Sequence, residues 1–277
     1  MSKTKIAANV KRYATGRILG TTALALAAVL ISGANVKAST LIVTPTDFPL
    51  SGWSTDTTKG SGPTNGVAQF SSVQPQSGNG SFELSMPADP DKATLLHLGG
   101  DGLTLGTLIG GGNDLGFQYF RDSTSTAGAK VAPAFRLYFG DGKPQLVWEA
   151  VYNGVTDTNP VKTDQWLTPD IKDGFFWKYD STGNHDVSGG FQKLSYWSTD
   201  TPTAGNIVGY SVGVGSGWGG SYKGYVDNVT FGTTTTNFEN VAAAPEPSQW
   251  AGLGFTAFGA LGLILKARKK KSAVSAS

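Results

Sequence analysis

The chain has 277 residues, with 22 Lys+Arg, 20 Asp+Glu and no cysteine. The absence of thiols excludes disulfides, thiolate metal sites and cysteine nucleophiles, so a folded domain here must be held by its apolar core. Six basic residues precede Ser39 and five follow Leu265, leaving 11 against all 20 acids; the middle of the chain is acidic, near −9, and the overall +2 gives no support to nucleic-acid binding.

At the N-terminus, Lys3, Lys5, Lys11, Arg12 and Arg17 stand without an acid and are followed by a mostly apolar run from Ile18 to Ile31. A small and polar stretch then leads to Val36 and Ala38, the positions a signal peptidase reads. Residues 1–38 are expected to be a secretory signal peptide cut between Ala38 and Ser39, handled by the secretion translocon and signal peptidase. The apolar run falls short of the roughly 20 residues needed to span a bilayer.

Between the ends the sequence is rich in Gly, Thr, Ser and aromatic residues and lacks a sustained 3.6-residue apolar pattern. Short apolar runs bounded by turn residues predict strands over 41–43, 68–70, 81–85, 94–98, 116–120, 134–139, 146–152, 207–214 and 224–231. Phe135, Leu137 and Phe139 alternate with Arg136 and Tyr138, and a Gly-Asp-Gly-Lys-Pro turn at 140–144 predicts a hairpin to the next strand. Such a succession reads as all-β, two antiparallel sheets packed face to face over residues 39–232, in a jelly-roll or concanavalin-like sandwich.

Residues 156–203 are more polar and read either as a large ordered loop with short strands or as a rim over one face. Residues 233–244, Thr- and Ala-rich, read as a tether.

Seven Trp and nine Tyr in such a domain leave two readings, packing residues or platforms on which pyranose faces stack. Trp166, Trp177 and Trp197, in the polar segment, are the candidates for exposed stacking residues, whereas Trp148 and Trp218 read as core. Catalytic chemistry has little to draw on. The two histidines, His97 and His185, cannot make a multi-histidine metal site, and Glu83 and Glu149, the acids in predicted strands, read as surface residues. The glycine-rich stretch 100–112 is not followed by a helix and lacks the Lys-Ser/Thr ending of a phosphate cradle.

The tail carries Pro245-Glu246-Pro247, an apolar run from Trp250 to Leu265, and the basic residues Lys266, Arg268, Lys269, Lys270 and Lys271. The run is marginal as a span, nominally about 24 Å of helix, and Lys266 and Arg268 can snorkel to lengthen it. The positive-inside rule puts the basic end in the cytoplasm and Glu246 outside. This order over residues 245–271 resembles the PEP-CTERM sorting signal of exopolysaccharide-producing Gram-negative bacteria. The resemblance implies a precursor held transiently in the inner membrane, with 250–265 as transmembrane helix, and processed by an exosortase that reads Pro245, Glu246 and Pro247. It implies a destination at the cell surface or in the extracellular matrix.

Segments 119–123 and 215–231 look like an internal motif and the closing strand of jelly-roll domains of this exported group. In carbohydrate-binding jelly rolls an Asp on the last strand can ligate calcium. By strand parity Asp227 shares a face with Tyr225, Val229 and Phe231 and points inward, so it reads as a hydrogen-bonded structural acid with calcium as the alternative. Asp180 and Asp186 are weaker calcium candidates, because their spacing lacks the EF-hand pattern and an Asx-type turn explains them. No other cofactor is expected. The expected product is a non-enzymatic, structural or adhesive protein of the cell envelope associated with exopolysaccharide; a polysaccharide-binding module is the alternative, and a glycoside hydrolase or lyase comes behind both.

Overall fold

The computed structural model describes residues 39–59, 62–140, 145–179, 185–186, 189–200, 203, 205–215 and 217–240. The expected leader, the Pro-Glu-Pro segment, the apolar run and the basic tail lie outside them. No helix among the described residues is long and apolar enough to cross a membrane.

In chain order the strands are β1 (Ser39–Val43), β2 (Trp53–Asp56), β3 (Thr58–Lys59), β4 (Gly62–Pro63), β5 (Val67–Ser71), β6 (Ser81–Met86), β7 (Ala93–Leu98), β8 (Asp114–Arg121) and β9 (Ala134–Tyr138). They continue as β10 (Gln145–Trp148), β11 (Trp166–Leu167), β12 (Phe175–Tyr179), β13 (His185–Asp186), β14 (Gln192–Lys193), β15 (Gly209–Val214), β16 (Tyr222–Gly232) and β17 (Thr234–Phe238). Two short helices, α1 (Leu105–Ile109) and α2 (Leu194–Trp197), are the α-helical pieces among the described residues.

The strands form two large sheets. In the first, β16 is flanked along its length by β8, which carries β11; on its other side it pairs first with β6, next to β5, and then with β17, next to β1. The second runs β13-β12-β10-β9-β15-β7-β2, with β14 also on β12. Pairing is antiparallel except between β1 and β17, which run parallel in register from Ser39↔Thr234 to Val43↔Phe238.

The sheets pack face to face through one apolar core: Phe117 on β8 meets Phe135 on β9 (ring centroids 6.1 Å apart), Tyr210 on β15 stacks on Phe231 of β16 (4.3 Å), and Trp53 on β2 meets Phe238 on β17 (5.1 Å). The fold is therefore an antiparallel β-sandwich, as the periodicity of its strands leads one to expect. All nine predicted strands are present, and the predicted hairpin is the β9–β10 pair, with Leu137 opposite Leu146.

Three features differ from the sequence-based expectation. Thr234–Phe238, expected in the tether, is a strand hydrogen-bonded on both sides, with Phe238 and Glu239 buried. Thr-rich composition suits a linker, but the β-branched Thr side chain also suits a pleated sheet, and pairing on both flanks decides between them. The domain thus extends past 232 to at least Glu239.

Second, the polar segment 156–203 holds the short strands β11, β13 and β14 that one of its two readings allowed, but also α2 and β12, an integral strand of the second sheet with Phe176, Trp177 and Lys178 buried. Third, strand parity fails in the middle of β16. The register on β8 shifts between Asp227 and Thr230, where Asn228 has φ of 49°. This bulge inserts one residue, so Val229 and Phe231 share the core with Val226, while Tyr225 packs instead against Phe120.

Candidate functional site

The three tryptophans nominated from sequence do not assemble into a platform. Trp177 is 6% exposed and donates its indole N–H to Glu149 Oε2 at 2.9 Å; Trp197 is 1% exposed and donates to the carbonyl oxygens of Phe176 and Gln192, both at 3.2 Å. Trp166 is half-buried on β11, edge-on to Phe120 at 6.0 Å. The expectation of exposed indoles is corrected for Trp177 and Trp197: the polar residues around them belong to connections, while each indole finds an internal acceptor. Lys178 also stands 5.4 Å from the Trp197 ring. Trp148, expected in the core, is 2% exposed, and Trp218 is partly buried, packed against the core cluster and edge-on to Tyr222 at 5.3 Å.

A different group of aromatic residues surrounds an open cleft of about 470 Å³. Tyr119 of β8 and Trp148 of β10 form its floor, Tyr152 and Phe175 stand on one wall, and Leu167 and Pro169 on the other. Tyr152 and Phe175 are each 41% exposed. Tyr152 stacks on Phe191 with ring centroids 4.0 Å apart, and the Lys193 ammonium lies 5.9 Å from the Phe175 ring. Burial pushes the Tyr119 phenol up to about 12, so it is a neutral group on the cleft floor.

Local geometry shapes the floor. Asn153 donates to the carbonyl oxygens of Glu149 (2.8 Å) and Phe175 (3.0 Å) and accepts the Phe175 N–H at 2.7 Å, tying the turn after β10 to the start of β12. Gly174 lies between them. A Cβ there would stand 2.5 Å from Trp148 Nε1 and 3.0 Å from Asn153 Oδ1, so only glycine fits without a shift. Trp148 Nε1 has no hydrogen-bond partner among the described residues. On the rim, Asp170 and Asp173 are exposed, and Asp170 Oδ1 accepts the Asp173 N–H at 3.1 Å.

A shallower depression of about 320 Å³ adjoins the cleft and shares Thr168, Pro169 and Asp170 with it. Its base is the outer face of the first sheet, where a chain of amides crosses the strands: Asn228 Nδ2 donates to Gln76 Oε1 and to Gln118 Oε1, both at 2.7 Å, and Gln118 Nε2 donates to Thr168 Oγ1 at 3.0 Å. The bulge at Asn228 supports this arrangement. It releases the amide from the core-facing parity that an unbroken strand imposes.

Asp227 is fully buried. Its Oδ1 accepts the backbone N–H of Asn228 (2.8 Å) and of Phe238 (2.9 Å), and Oδ2 has no partner among the described residues. Burial pushes its carboxyl up to about 7, with the charge of Glu239 adding to the effect. Glu239 is 1% exposed and accepts from the Asn79 N–H at 2.6 Å and from Asn237 Nδ2 at 3.0 Å. Asp227 is thus hydrogen-bonded to two backbone N–H groups within the domain. Among the described residues no group of three or more His, Cys, Asp or Glu forms a metal cluster. Asp180 lies outside the described residues, and Asp186 is placed on β13.

The other acids and histidines stay apart. Glu83 sits on β6 of the first sheet and Glu149 just beyond β10 of the second, half-buried and engaged with Trp177 rather than a free surface acid. His97 stacks on Tyr210 at 4.8 Å, and burial lowers its pKa. Of the processing residues, Ser39 is described: it opens β1, and its N–H donates to Thr233 O at 2.8 Å. Phe175 was the missed signal. In the run Phe175-Phe176-Trp177 the two-residue period places Phe176 in the core and leaves Phe175 on the outside.

No protein-family model and no curated protein matches the chain. Among solved structures, it is similar to one described as the structural basis for the promiscuous specificity of carbohydrate-binding modules from the β-sandwich superfamily, at 16% identity and a TM-score of 0.32 over 67% of this chain and 58% of that one. It is also similar to a β-1,2-glucanase from Parabacteroides distasonis (10% identity, TM-score 0.35, 65% of this chain and 23% of that one). A third is a conserved carbohydrate esterase from the Shiga toxin-encoding bacteriophage phi24B (17% identity, TM-score 0.33, 68% and 92%). No functional statement follows from likeness at this level.

Proposed function

We propose that the protein is an exported, non-enzymatic glycan-binding β-sandwich of the cell envelope or extracellular matrix, adhesive in role, and handed on through its PEP-CTERM tail. The cleft carries the reading. Its exposed Tyr152 and Phe175 rings offer flat apolar faces to the C–H face of a pyranose, and its carboxylates and amides offer hydrogen bonds at the rim. The volume falls in the range that holds small ligands. Catalysis is the poorer reading, since Glu83 and Glu149 belong to different sheets. The finer topology proposed is a jelly roll.

Sorting is proposed on the residues of the two ends. Translocon and signal peptidase act on residues 1–38, and cleavage before Ser39 leaves β1 whole. An exosortase then reads Pro245, Glu246 and Pro247 while the run 250–265 rests in the inner membrane. The prolines keep this segment out of the helix and its peptide bonds accessible. Affinity gels containing exopolysaccharide from a Gram-negative producer test the binding. Retardation that is lost in Tyr152→Ala is the expected result, and unretarded migration across a broad glycan set contradicts it.

A further inference from the structure

We infer that the ligand is an uncharged polysaccharide bound along its length, over two adjoining subsites of different chemistry. One is the aromatic cleft; the other is the depression across the ridge Thr168, Pro169 and Asp170, on the outer face of the first sheet. The inference rests on the glycan reading above.

Gly116 opens the depression. On β8 Leu115, Phe117 and Tyr119 are buried, so Gly116 and Gln118 face outward, with Thr230 of β16 opposite Gly116. A Cβ at Gly116 would meet nothing within 4 Å, and its φ is not positive, so neither packing nor backbone conformation calls for glycine there. Glycine inside a strand weakens it and often marks a place where a ligand or another backbone approaches closely. No described segment of the chain fills the space over Gly116, which belongs to the open depression of about 320 Å³.

The groups beside this space suit hydroxyls. Asn228 donates both amide hydrogens, to Gln76 and Gln118, which leaves its Oδ1 as an acceptor without a partner among the described residues. Gln118 donates one of its two hydrogens to Thr168 Oγ1; its second N–H and the Thr168 O–H are left as donors. The bonds among the three side chains hold these free valences in place, so little ordering remains to be done on binding. A sugar hydroxyl both donates and accepts, and the amides that match it carry no charge. Charges of both signs surround the two subsites: Asp114, Asp170 and Asp173, and against them Lys172, turned onto the carbonyl oxygen of Asn113, and Lys193, 5.9 Å from the Phe175 ring. A chain charged on every unit meets like charge somewhere along this path; an uncharged chain does not. A short oligomer occupies one side of the ridge, while a longer one joins both subsites in a single ligand and gains from each.

The test is calorimetry on the full chain, purified, with glucose, galactose and mannose oligomers of two to eight units, and uronate oligomers of the same lengths. Affinity for a neutral series is expected to rise by about tenfold between two and six units, as a few added hydrogen bonds give, and uronate oligomers are expected to bind more weakly at every length. Gly116→Leu places a side chain in the depression, and Asn228→Gly removes the amide while keeping a residue suited to φ of 49°. Neither residue lines the cleft, so each variant is expected to lose the rise with length and to keep the affinity for two units. Thermal melting checks both folds, and where Gly116→Leu melts early Asn228→Gly decides. Equal affinity at all lengths, a rise that the folded variants keep, or preference for uronate overturns this inference; the glycan reading stands as long as Tyr152→Ala abolishes what binding there is. Absence of binding to every oligomer removes both.

Discussion

Asp227 Oδ1 accepts the backbone N–H of Phe238 at 2.9 Å, so a buried acid on β16 fixes the strand from which the tail departs. Its carboxyl ordinarily titrates near 3.8 and is pushed up to about 7 in the folded domain. Between these values the folded state holds a proton that the unfolded state has lost. The stabilisation is full below about pH 4 and is lost as pH rises through 7, a loss on the order of 2–3 kcal/mol between pH 5 and 8. Urea unfolding at these two pH values measures it. Asp227→Asn, which keeps the acceptor and removes the charge, flattens the profile; a wild-type midpoint that does not fall by pH 8 contradicts the assignment.

The buried tryptophans and the exposed aromatic residues separate stability from binding. Trp177→Ala and Trp197→Ala each remove a packed, hydrogen-bonded indole and cost about 3–5 kcal/mol in chemical denaturation. Tyr152→Ala and Phe175→Ala change stability by less than about 1 kcal/mol while abolishing retardation on glycan gels. The reverse pattern returns the binding role to the indoles.

Gly174→Ala joins both effects. Its Cβ, 2.5 Å from Trp148 Nε1, forces the floor to shift at about 1–3 kcal/mol, and the displaced Trp148 and Asn153 alter the shape of the cleft. Differential scanning calorimetry and the same gels follow the two losses together. Full stability with full binding means the floor yields without consequence.

How much of this was legible in the sequence differs by element. Nine strands were marked by apolar runs between turns, because a buried strand needs its side chains to alternate or cluster in short stretches. β17 was not. Its Thr234, Thr235 and Thr236 look like tether composition, and only the pairing with β1 and β16, nearly two hundred residues away and next door respectively, makes them a strand. The cleft was hidden for a related reason: Tyr119, Trp148, Tyr152 and Phe175 come from separate elements, and which aromatic residues remain exposed depends on tertiary cover, which composition does not carry. Asp227 was found buried by a parity argument that the bulge at Asn228 breaks; the burial holds for another reason, the backbone N–H groups that it accepts.

Arg121 is a structural knot. Buried at 4% exposure, it donates to the carbonyl oxygens of Gly128 (2.9 Å), Val131 (2.9 Å) and Ala127 (2.7 Å), pinning the loop 127–131 to the end of β8. A lysine ammonium lacks the planar fork that reaches three acceptors. Arg121→Lys is expected to cost at least about 2 kcal/mol and to raise protease sensitivity within 127–131. Limited proteolysis with mass mapping checks this, and an unchanged pattern refutes it.

Processing is read from intact mass. The exported protein is expected to begin at Ser39 and to lack the residues of the basic tail, and Glu246→Ala is expected to retain them. A wild-type C-terminus running through Ser277 in a strain with an active exosortase rules this out.

The parallel pairing of β1 with β17 also decides how the domain meets mechanical load. A pull on the tail acts along β17, which is held by β1 on one side and β16 on the other. Against an opposing pull on the N-terminal end of β1, such a force loads the parallel cross-strand bonds together in shear instead of peeling them one by one.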